Sequence, residues 1–132
     1  MRPGNLLECA AALMNLRGHC DDGPGGYRKE VCALEAIAMA AGIPRHKYFQ
    51  TTPESHVAIT VFAEFIRRSE PAGPWAATGG SSFEDDLATI YLRNDRPNSR
   101  PALQSAMLAA SAILNARESA ENALYHLEMA CV

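Results

Sequence analysis

The residues with the most chemical potential sit in one short run, His19-Cys20-Asp21-Asp22. Imidazole, thiolate and carboxylate are all metal ligands. Four neighbours on one loop do not close a tetrahedral site unaided, so a metal would need His46, His56 or Cys32 as well. Asp21-Asp22-Gly23 lacks the spaced oxygens of a calcium loop. The second candidate is Cys32, expected in the first turn of a helix. There the helix dipole lowers a thiol's pKa and prepares a nucleophile. A base from His19, His46 or His56 and an orienting Asn94 or Asp95 would complete a hydrolase triad, with Asp21 as a further polar partner. Against this, Cys32 opens an almost unbroken apolar run, and burial raises a thiol's pKa and makes it inert. The residue pattern therefore favours no catalytic residue, no metal and no cofactor. Neither a G-x-x-x-x-G-K-S/T nor a G-x-G-x-x-G phosphate-binding pattern occurs.

Other residues suggest contacts rather than reactions. Trp75, the only tryptophan, lies in a Pro/Gly-rich loop, where an aromatic either anchors the loop or forms a binding hot spot. Arg93, Arg96 and Arg100 form the main basic cluster, which keeps nucleic-acid binding open as an alternative. Charge argues against that alternative. The chain has 12 basic and 15 acidic residues, net −3, and neither half is a basic arm. At 132 residues, 48% hydrophobic and 20% charged, it has the composition of one globular domain spanning residues 1–132. No apolar run is long enough to span a bilayer, and the N-terminus lacks a signal peptide's apolar core, so a cytoplasmic protein is expected. Four cysteines without a C-x-x-C pair fit a reducing compartment.

The elements that would hold these residues read as helices. The first is expected over Asn5–Arg17, with Asn5 as N-cap, Glu8 completing a capping box and Gly18 ending it. Residues 18–28 form a glycine-rich loop. The second helix is expected over Lys29–Ala41, apolar nearly all round and hence central. Thr52-Pro53-Glu54 starts a third over Pro53–Arg68, with Val57, Ala58, Val61, Phe62, Phe65 and Ile66 as its stripe. After a loop over 69–81, Ser81 or Ser82 opens a fourth over Phe83–Arg93, turning inward Phe83, Leu87, Ile90 and Tyr91. Asn94-Asp95-Arg96-Pro97-Asn98-Ser99 is a tight connector. The last helix begins near Pro101 and is either one long helix or two broken near Glu118. Its outer part, residues 117–132, carries Leu124, Leu127 and Cys131, which would be exposed on a projecting or dimerising helix. The fold expected is an all-α bundle of about five helices.

The landmarks Leu6 to Gly18, Val31-Cys32-Ala33-Leu34-Glu35-Ala36 and Asn94-Asp95-Arg96-Pro97 resemble a family of small uncharacterised helical domains from actinobacterial and bacteriophage genomes. The resemblance covers about residues 5–116. It departs at Arg93, where that family carries an aromatic residue, and at Leu34 or Glu35, where it often has glycine. It implies a helical fold and a phage or mobile-element setting, and brings no activity. Together with the missing catalytic signature, it leads to the expectation of a non-enzymatic accessory factor that binds a host or phage protein. Inhibition of a bacterial defence system such as a CRISPR effector would be one such role. Trp75, Arg93, Arg96, Leu124 and Leu127 are the expected contact residues, with homodimerisation as a further possibility.

Overall fold

The computed structural model describes residues 1–20, 29–75, 82–97 and 99–131. Within them the chain forms α1 (Pro3–Arg17), α2 (Ala33–Ala40), a 3₁₀ turn (Arg45–Lys47), α3 (Pro53–Ser69), α4 (Phe83–Asn94) and α5 (Arg100–Ala130). The expected all-α architecture is present, and α5 runs unbroken past Glu118.

Local chemistry explains where each helix starts, and corrects two expected starts. α1 begins at Pro3, not after an Asn5 cap. Proline's fixed φ suits the first helical position, and Arg2 before it is extended, so Asn5 and Glu8 lie inside the helix. α2 begins at Ala33 instead of Lys29. Val31 is committed to an isolated parallel bridge with His19: its N–H donates to Gly18 O at 3.0 Å and its carbonyl accepts from Cys20 N at 2.9 Å. Cys32, also extended, is thereby the N-cap and not a first-turn residue. Thr52 caps α3 as expected, in a reciprocal pair with Ser55: Ser55 N to Thr52 Oγ1 is 3.1 Å and Thr52 N to Ser55 Oγ is 2.8 Å. Ser82 caps α4 through Asp85 N at 3.2 Å; Ser81 lies outside the described residues.

α2, with its first six residues buried, packs chiefly on α1 and also meets α3 and α4, while α5 lies across α1 and α3. α1 and α5 pack antiparallel. Gln104 Nε2 donates to Ala11 O at 3.1 Å and Asn15 Oδ1 at 2.7 Å, while Arg2 pairs with Glu118 at 3.2 Å near the other end. Gly4 permits the close approach, since a Cβ there would stand 3.0 Å from Ser111 O. α3 and α4 are tied by Arg67, which donates to Asp86 Oδ1 at 2.9 Å and Thr89 Oγ1 at 3.0 Å. The stripe of α3 differs from expectation at Val57, which is exposed, and gains Ile59, which is buried.

Candidate functional site

Asn94, the last residue of α4, gathers the chemistry-bearing residues. Its side chain is buried and makes four hydrogen bonds. Oδ1 accepts from Ala33 N at 2.9 Å and lies 2.7 Å from His19 Nε2; Nδ2 donates to Cys20 O and to Asp95 Oδ1, both at 3.1 Å. Its own carbonyl accepts from Ser99 Oγ at 2.7 Å. Because Ala33 N–H and Cys20 O fix the amide's orientation, Oδ1 is the acceptor and His19 Nε2 carries the hydrogen. One residue thus joins the end of α4 to the His19–Cys20 segment and the start of α2 through its side chain, and to the start of α5 through its carbonyl.

The structure therefore brings together His19 and Asn94, which the sequence offered as base and orienter. The proposed nucleophile is a different matter. Cys32 is 2% exposed. Its Sγ accepts Glu35 N–H at 3.4 Å, and its N–H donates to Glu35 Oε1 at 3.0 Å, which makes a capping box built on a thiol. Burial, with the Glu35 carboxylate adding to it, pushes the thiol up to about 12, so it is neutral near pH 7. Glu35 is itself buried. Burial would raise its pKa, but Arg45 Nε at 2.6 Å and the Cys32 N–H outweigh that and hold the carboxyl below the usual range. Arg45 also donates to Glu30 O. Nearby, burial and a hydrogen bond with Tyr48 raise the Tyr91 hydroxyl. These groups cap and cross-link helices, and among the described residues no buried side-chain nitrogen or oxygen lacks a hydrogen-bond partner.

The remaining candidates are dispersed. Asp21 lies outside the described residues. His56 stacks on Phe83, with ring centroids 4.2 Å apart, and His46 is exposed in the 3₁₀ turn. Among the described residues, no three His, Cys, Asp or Glu side chains stand close enough to hold a metal.

Trp75 is 1% exposed. Its Nε1 donates to Glu70 O at 2.7 Å, and its ring fills the space where a Cβ of Gly73 would be. Arg93 and Arg96 place their guanidinium carbons 5.8 and 5.4 Å from the ring centroid, and Arg93 pairs with Glu70 at 2.7 Å. The expected hot spot is thus an anchor for its loop, turned inward, and Arg93 is engaged with it. Arg96 and Arg100 are exposed.

The outer part of α5 turns several apolar side chains to solvent, as Leu16, Phe49 and Leu108 do singly elsewhere. Residues 119–131 are all exposed, including Leu124 at 56% and Leu127 at 64%, with Tyr125 and Met129 beside them. A cleft of about 710 Å³ lies at the root of this extension, between Met1, Arg2, Glu54, Val57 and the Leu114–Asn122 stretch. Sequence reasoning placed Leu124 and Leu127 on this helix correctly. It missed Asn94 as the buried hub, for which an asparagine in a turn motif gives no distinguishing signal.

Among the described residues, no helix is long and apolar enough to cross a membrane. No curated protein and no solved structure matches the chain. The model of one family, described as a family of unknown function (DUF6197), matches residues 1–113 and so takes in the Asn94 hub but not the outer part of α5. The chain belongs to that family, DUF6197.

Proposed function

We propose that this protein acts by binding another protein through the outer half of α5, with no chemistry of its own. The observation that carries the reading is the outer part of α5, residues 119–130, exposed at every position and bearing Leu124, Tyr125, Leu127 and Met129. From Ser119 to Ala130 the helix runs about 18 Å beyond the body, and its apolar side chains lose water contact only against a partner. A partner would supply that packing. The capped and neutral Cys32 supports the non-enzymatic half of the reading. In the phage or mobile-element setting implied by the sequence resemblance, the partner would be a host or phage protein, and a defence effector of the CRISPR kind would fit.

The test is site-specific photo-cross-linking in bacterial cells, with the full chain carrying the cross-linker at Leu127. The comparison position is Leu16, somewhat more exposed than Leu127 but on α1. Discrete adducts from Leu127 that are missing from Leu16 are expected. Equal adducts from both, or none from Leu127, would remove the proposal.

A further inference from the structure

We draw no further inference here: the strongest candidate, the cleft of about 710 Å³ between the starts of α1 and α3 and the root of the α5 extension, is rimmed by water-exposed charges of both signs, among them Arg117, Glu54 and Glu121, and nothing in the structure shows what would occupy it.

Discussion

At the scale of single residues, the account turns on two side chains that do structural work where chemistry was conceivable. Cys32 caps α2 and is shielded, so iodoacetamide should label the exposed Cys131 quickly and leave Cys32 unmodified until the protein unfolds. Rapid labelling of Cys32 in the folded protein would instead revive the nucleophile reading. Asn94→Ala should destabilise strongly. It strips partners from Ala33 N–H and Cys20 O, and each orphaned buried group costs about 1–3 kcal/mol. Chemical denaturation should therefore show a loss of about 3 kcal/mol or more. A change within about 0.5 kcal/mol, the range of an ordinary surface substitution, would show that Asn94 is not the hub described here. Legibility was uneven at this scale. The sequence raised His19, Cys32 and Asn94 together, yet it could not show that Asn94 Oδ1 is shared between His19 and the start of α2. That sharing depends on contacts across 61 and 75 residues.

Among the elements, α2 depends on a buried ion pair. Removing Arg45 leaves Glu35 inside without its main counter-charge, and breaking such pairs costs about 3–5 kcal/mol. Arg45→Ala should fall near the lower end, since Cys32 N–H still reaches the carboxylate. The pH dependence has a definite sign. Glu35 has a depressed pKa in the fold, so its contribution is present above its unfolded value of about 4.3 and is lost as pH falls through the lower folded value. Urea unfolding of the native chain should show that acid loss, and Arg45→Ala should flatten it; identical acid profiles would contradict the assignment. Helix boundaries were legible where local signals act alone, as at Thr52 and Ser82. They were not legible at α2, because the bridge between Val31 and His19 takes four expected helical residues, Lys29 to Cys32, out of the helix. At α1 the local signal was present but outranked: Pro3 sets the start, and Asn5 only resembles a cap.

For the whole molecule, the distinction that matters is between the body, residues up to Glu118, and the helix that leaves it. A chain ending at Glu118 should melt within a degree or two of the full chain at low concentration, because residues 119–131 add no buried side chain. A large drop in melting temperature would show that the extension supports the body. The projecting stripe of Leu124 and Leu127 was visible in the sequence because leucines stand out. The central claim, that the outer half of α5 is a protein-binding helix, is tested most directly by moving the photo-cross-linker one residue at a time from Ala112 to Ala130. Adducts should concentrate at Leu124, Tyr125, Leu127 and Met129 and fall at Ser119, Glu121 and Asn122. Uniform adducts, or none along the helix, would contradict it.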